Sequence, residues 1–182
     1  YTNAFKFGDR VKIADTVGDI VEKNLFVTKV RTPKNEVVSI PNGTIMTSNV
    51  TNYSTLAREK RLILYTSVTI GYDEPWQQVE AALLAAAADS YGLLKDPKPF
   101  VLQNQLADFY VEYQLNVYTE LANEMPAVYS ELHKRIQDKF NEAGMEIMSP
   151  HIYALRDGNE IAIPKQYRGE NYKRPTFGIT QT

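Results

Sequence analysis

Turn-forming residues interrupt the first part of this chain so often that only short strands fit between them. Gly8-Asp9, Val17-Gly18, Pro33-Lys34-Asn35 and Asn42-Gly43 supply the breaks. The runs between them are Arg10–Ala14, Asp19–Lys23, Leu25–Arg31, Glu36–Ile40 and Ile45–Tyr53. Five short strands in about 50 residues predict a small all-β barrel of the Sm-like or SH3-like kind. Pro41 has no N–H to give a ladder, so it ends a strand. Asn42 followed by Gly43 predicts a turn with positive φ.

Past Arg58-Glu59-Lys60-Arg61 the pattern changes. Leu62, Leu64, Val68 and Ile70 fall at even positions, as one face of a strand does. Pro75 then starts a helix in which Trp76, Val79, Leu83 and Ala87 form an apolar stripe, and Gly92 follows its end. Phe100–Leu106 and Phe109–Tyr118 read as two strands. In the second, Phe109, Val111, Tyr113, Leu115 and Val117 alternate with polar neighbours, the mark of a half-buried antiparallel strand. Pro126 opens a second helix with the stripe Tyr129, Leu132, Ile136, Phe140 and Ala143, and Gly144 caps it. Met145–Met148 is the expected fourth strand. The order strand, helix, strand, strand, helix, strand is the βαββαβ arrangement of ferredoxin-like domains.

His151–Arg156 reads as a further strand, Asp157-Gly158 as a hairpin turn and Glu160–Ile163 as its return. Pro164–Thr182 has no periodicity and reads as a tail. The expected organisation is therefore α+β in three parts. A small β-barrel spans 1–57, a ferredoxin-like domain 58–150, and a C-terminal strand, possible hairpin and tail 151–182.

Composition narrows the function. There are no cysteines among the 182 residues, which rules out disulfides and thiolate metal sites. Residues 1–57 carry 7 Lys/Arg and 5 Asp/Glu, while 58–156 carry 9 and 14. Neither balance makes the strong basic field that nucleic-acid binding uses. No run reaches the roughly 20 apolar residues that cross a bilayer. No nucleophile elbow, phosphate loop or paired acid and base stands out, so no catalytic, metal or cofactor site is expected. His133 and His151 are the only histidines and lie on different elements, without a metal-ligand spacing. Tyr110, Tyr113 and Tyr118 could stack bases on a sheet, but Tyr113 falls on the core face, so packing is their expected role.

Several segments carry a resemblance. Phe5-Lys6-Phe7-Gly8-Asp9 resembles the start of the cytoplasmic barrel of the small-conductance mechanosensitive channel (MscS-like) family, with Ala4 in place of its proline. Val30-Arg31-Thr32, Ser39-Ile40-Pro41-Asn42-Gly43 and Asn52-Tyr53-Ser54 are similar to that family's R-T, I-P-N-G and N-F-S segments. Gly71-Tyr72-Asp73 resembles its turn into the first helix of the mixed domain, and Phe140 through Ile147 the exit of the second. The matches keep their order over roughly residues 5–156.

The resemblance implies a non-enzymatic homo-oligomer of seven subunits forming a hollow vestibule on the cytoplasmic side of the inner membrane. It places the pore helix upstream of Tyr1, lets inorganic ions pass, and needs neither cofactor nor nucleic acid. Pro41, Asn42 and Gly43 become the signature turn. Arg58, Glu59, Lys60 and Arg61 lie where the family's vestibule has side openings, so they are candidates for ion selectivity. His151, Ile152, Tyr153, Ala154, Leu155 and Arg156 are the candidate strand of a narrow barrel at the base. Two rival readings remain: an Sm-like RNA-binding ring, and a small-molecule sensor of the ferredoxin-like type.

Overall fold

The computed structural model describes residues 4–148 together with 166, 168 and 169. The chain divides into two compact units. The first runs to Leu64 and takes in Ser90–Pro99 and Val117–Glu131; the second comprises Tyr65–Asp89, Phe100–Asn116 and the residues from Leu132 onward.

In the first unit, β1 (Arg10–Ile13), β2 (Thr16–Lys23), β3 (Val27–Arg31), β4 (Val37–Pro41) and β5 (Val50–Asn52) form one sheet. Every neighbouring pair is antiparallel, in the order β4-β3-β2-β1-β5. Strand alternation sends Val11, Ile13, Ile20, Val30 and Ile40 to a common core with Phe5. Each such aliphatic side chain contributes about 1.5–3 kcal/mol by leaving water.

Two expected features of this region are corrected. Val17-Gly18 is not a break but lies inside β2, because the chain has already turned at Ala14-Asp15, with Ala14 at φ 50°. Gly18 is glycine for another reason: a Cβ there would strike the Arg31 carbonyl on β3. Ile45–Tyr53 is not one strand. It is divided among helix α1 (Asn42–Thr47), strand β5 and helix α2 (Tyr53–Arg58). Asn42 and Gly43 therefore open a helix, and Gly43 is not among the glycines with positive φ. Thr47 and Ser48 hydroxyls donate back to the Thr44 carbonyl and help close that single turn. At the next start, Asn52 caps α2 by accepting from the Thr55 N–H.

β6 (Leu62–Ile70), β7 (Phe100–Leu106) and β8 (Val111–Thr119) form the second sheet, in the order β6-β8-β7. β7 and β8 are antiparallel, with a bulge between Gln103 and Gln105. Val111, Tyr113, Leu115 and Val117 are buried as their alternation predicts, whereas Phe109 precedes the strand and is exposed. Helix α3 (Trp76–Ala88) buries Val79, Leu83 and Ala87 but leaves Trp76, its first residue, half exposed. Helix α4 (Met125–Ala143) follows a 3-10 turn at Ala122–Glu124 and buries Leu132, Ile136 and Phe140. Gly144, at φ 71°, stops it.

Met145–Met148 is not the expected strand. Met145 spends its N–H on the Phe140 carbonyl and is buried, so it cannot enter a ladder. Met148 alone reaches β6, donating its N–H to the Thr69 carbonyl at 2.8 Å. That is the free edge of β6, where a ferredoxin-like order sets its fourth strand. The expected strand at His151–Arg156, the turn at Asp157-Gly158 and the return at Glu160–Ile163 lie outside the described residues.

Candidate functional site

The most elaborate polar chemistry among the described residues lies in the first unit. Asp9 is 2% exposed, yet its carboxylate meets three donors. Oδ2 accepts from the Lys6 N–H and the Asn52 amide, both at 2.9 Å, and Oδ1 accepts from Arg58 Nη1 at 2.7 Å. Burial alone would raise the Asp9 pKa. The hydrogen bonds from Arg58, Lys6 and Asn52, together with the Arg58 charge, outweigh it and hold the carboxyl below its usual range.

Arg10, the next residue, is equally buried. Its guanidinium donates to both Asp19 oxygens, at 2.6 and 3.2 Å, and to the Asn123 carbonyl at 2.5 Å. The Asn123 amide completes the circuit by donating to Asp19 and to the Gly8 carbonyl. Ser54 accepts from the Arg10 N–H. Two positive and two negative groups thus cancel inside the unit, with their donors and acceptors used.

The Asn42 amide is a clamp. It donates to the Asn24 and Leu25 carbonyls, each at 2.9 Å, and accepts from the buried Thr28 hydroxyl. Its own N–H donates to the Phe26 carbonyl, while Asn24 holds the Phe26 and Val27 N–H groups. The β2–β3 turn is fixed in this way with Leu25 and Phe26 pointing to solvent, 62% and 76% exposed. Beside it lies an open cleft of about 630 Å³ floored by Phe5, Ile45 and Val50, with Lys23 at its rim. The expected signature turn is thus a helix start whose asparagine braces a neighbouring hairpin.

Arg58 through Arg61 form the stop of α2. Lys60 donates its N–H to the Ala57 carbonyl and Arg61 to the Leu56 carbonyl, with Lys60 at φ 58°. This is the Schellman arrangement, in which the left-handed residue is usually glycine. The four charges are not equivalent. Arg58 is tied to Asp9, and Arg61 lies 3.9 Å from Glu59. Among the described residues Lys60 has no carboxylate partner.

In the second unit, His133 Nε2 sits 3.0 Å from the Thr66 hydroxyl, at a groove of about 560 Å³ between β6 and α4. Among the described residues no group of three His, Asp or Glu side chains could hold a metal ion. No described helix is long and apolar enough to cross a membrane. The candidate base strand, His151–Arg156, lies outside the described residues. Sequence reasoning missed the Arg10–Asp19–Asn123 circuit. Strand alternation sets Arg10 on the face opposite Val11 and Ile13, so its burial had no local signal, and Asn123 gave none.

Two protein families match this chain in sequence. Residues 1–55 match "Mechanosensitive ion channel, beta-domain" and residues 64–147 match "Mechanosensitive ion channel MscS, C-terminal". An uncharacterized MscS family protein of Archaeoglobus fulgidus is 30% identical over 145 residues, covering 80% of this chain and 50% of the relative. The small-conductance mechanosensitive channel of Edwardsiella ictaluri is 25% identical, covering 82% and 52%. The chain spans about half the length of these curated relatives. Among solved structures, Helicobacter pylori MscS in its closed state superposes with a TM-score of 0.66 at 20% identity, over 81% of this chain and 57% of that one. Arabidopsis thaliana MSL1 gives 0.54 at 14%, over 81% and 54%.

Proposed function

This chain belongs to the MscS family of mechanosensitive ion channels, and from that membership we propose that it is the cytoplasmic cage of such a channel. Copies of it, seven in the full assembly, surround a shared axis below the inner membrane, hold the subunits in register and sieve the solutes that reach the pore. Bilayer tension acts on a transmembrane part outside this chain. The observation that carries the reading is the tandem itself: a five-stranded unit followed by a βαββα unit, matched in that order by the family's β-domain and C-terminal domain. The cage has no enzymatic task in this reading.

The side openings belong at Arg58–Arg61, where a charged rim biases ion entry through its local field. The base strand belongs at His151–Arg156. The RNA-ring and sensor alternatives find no support in the two matching families or in the Edwardsiella ictaluri relative, which carry the channel name.

The test is made on the parent protein. Purified and reconstituted in liposomes, it should have the mass of seven subunits and open an ion conductance when suction stretches a patch. A parent protein that stays closed under lytic tension overturns the channel reading.

A further inference from the structure

One end of the second sheet carries a patch that the channel reading does not use. The Tyr72 hydroxyl donates to the Ala107 carbonyl at 2.6 Å and so ties the turn between β6 and α3 to the tip of the β7–β8 hairpin. The Ala107 N–H, donating to the Tyr110 carbonyl, closes that tip. Around the tied turns Tyr72 is 55% exposed, Trp76 49%, Leu106 71% and Phe109 78%. Single exposed apolar residues are ordinary, but a group of them on two joined turns marks an interaction surface.

The charge of this surface has one sign. Asp73 and Asp108 are exposed and Glu74 is half-buried. Among the described residues none of the three pairs with a cation. Burial, with Asp73 beside it, raises the Glu74 pKa. Between Arg61 and Lys95, and again between Lys98 and Lys134, the chain has no lysine or arginine to offset these carboxylates. The complementary partner is cationic and apolar at once.

The chain itself supplies such a partner. Tyr172-Lys173-Arg174-Pro175-Thr176-Phe177 sets two cations between two aromatic side chains, with no acidic residue among them. This stretch belongs to the tail and lies beyond the residues that either channel family matches. Met148, after which the chain runs on toward it, is beside the patch: a Cβ on Gly71, the residue before Tyr72, would lie against both Asp73 and the Met148 sulfur. A tethered segment meets a nearby surface at a high effective concentration. We propose that Tyr172–Phe177 docks on the patch of Tyr72, Trp76, Leu106 and Phe109, with Lys173 and Arg174 facing Asp73, Glu74 and Asp108. Aromatic faces accept cations as well as other rings, so the patch suits both halves of the segment. The docking does not depend on the cage reading.

Trp76 is the single tryptophan of the chain, so its fluorescence reports this surface alone. Deleting residues 172–182 should shift its emission to the red and make acrylamide quenching more efficient. A synthetic peptide of residues 171–182, added to the shortened chain, should reverse both changes, and raised salt should weaken the reversal. Lys173→Glu with Arg174→Glu should expose Trp76 as the deletion does. Adding Asp73→Lys and Asp108→Lys to that pair should cover it again. Unchanged quenching after deletion overturns the proposal, and so does a charge reversal that leaves Trp76 covered. Protection that survives the deletion and fades on dilution assigns the patch to a second copy of the chain, which overturns it as well.

Discussion

Arg58 Nη1 sits 2.7 Å from Asp9 Oδ1, joining the last turn of α2 to the start of β1. The carboxylate is buried and the arginine more than half exposed, so the pair screens a charge that water cannot reach.

Acid should weaken the first unit through this pair. The folded-state pKa of Asp9 lies below its unfolded value, because donors outweigh burial. A group depressed in this way stabilises fully above the unfolded pKa of about 3.9 and loses that contribution as pH falls through the folded value. Thermal melts should therefore drop steeply below about pH 4. Asp9→Asn should start less stable at neutral pH and show a shallower acid limb. A variant limb as steep as the original would mean that Asp9 is not the group titrating.

Asn42 is expected to be intolerant of small changes. Asn42→Ala removes two donated bonds and the acceptor of the buried Thr28 hydroxyl, a loss of about 2–3 kcal/mol. Asn42→Asp should fail comparably, since a carboxylate cannot donate to the Asn24 and Leu25 carbonyls. The urea midpoint reports the loss, and amide exchange at Phe26 and Val27 should quicken in both variants.

Gly18→Ala places a methyl against the Arg31 backbone, which cannot swing aside as a side chain would. The cost is about 1–3 kcal/mol, visible as a lower melting temperature. Gly43→Ala meets nothing within 4 Å and should be stable or better, since alanine favours helix.

Relief of the left-handed lysine should be measurable on its own. Lys60→Gly is expected to add about 1 kcal/mol of stability, the steric gain being partly offset by the entropy of glycine. Chemical denaturation of the isolated chain gives the difference, and a destabilised glycine variant would contradict the strain.

Strands and helices driven by side-chain periodicity were legible in the sequence. The alternation of Val111, Tyr113, Leu115 and Val117 and the stripe of Leu132, Ile136 and Phe140 stand as read. Glycine and asparagine misled, because each serves more than one purpose. Gly18 marks a close approach of backbone rather than a turn, and Asn42 supplies hydrogen bonds rather than a turn conformation. Met145–Met148 has strand composition, but the helix stop before it claims the Met145 N–H. At the candidate site, the charges of Arg58–Arg61 were visible from the start. Their inequality was not, since it depends on Asp9, which lies far away in the chain. Asn123 completes the Arg10 circuit through its backbone carbonyl as well as its amide, a role no residue type announces.

The two units are interlaced along the chain, with Ser90–Pro99 and Val117–Glu131 returning to the first after it has been left. Such a weave resists dissection: no single protease cut, and no single recombination crossover, delivers either unit whole. A fragment ending at Leu64 would leave Arg10 without Asn123, its guanidinium stranded beside one carboxylate instead of two acceptors.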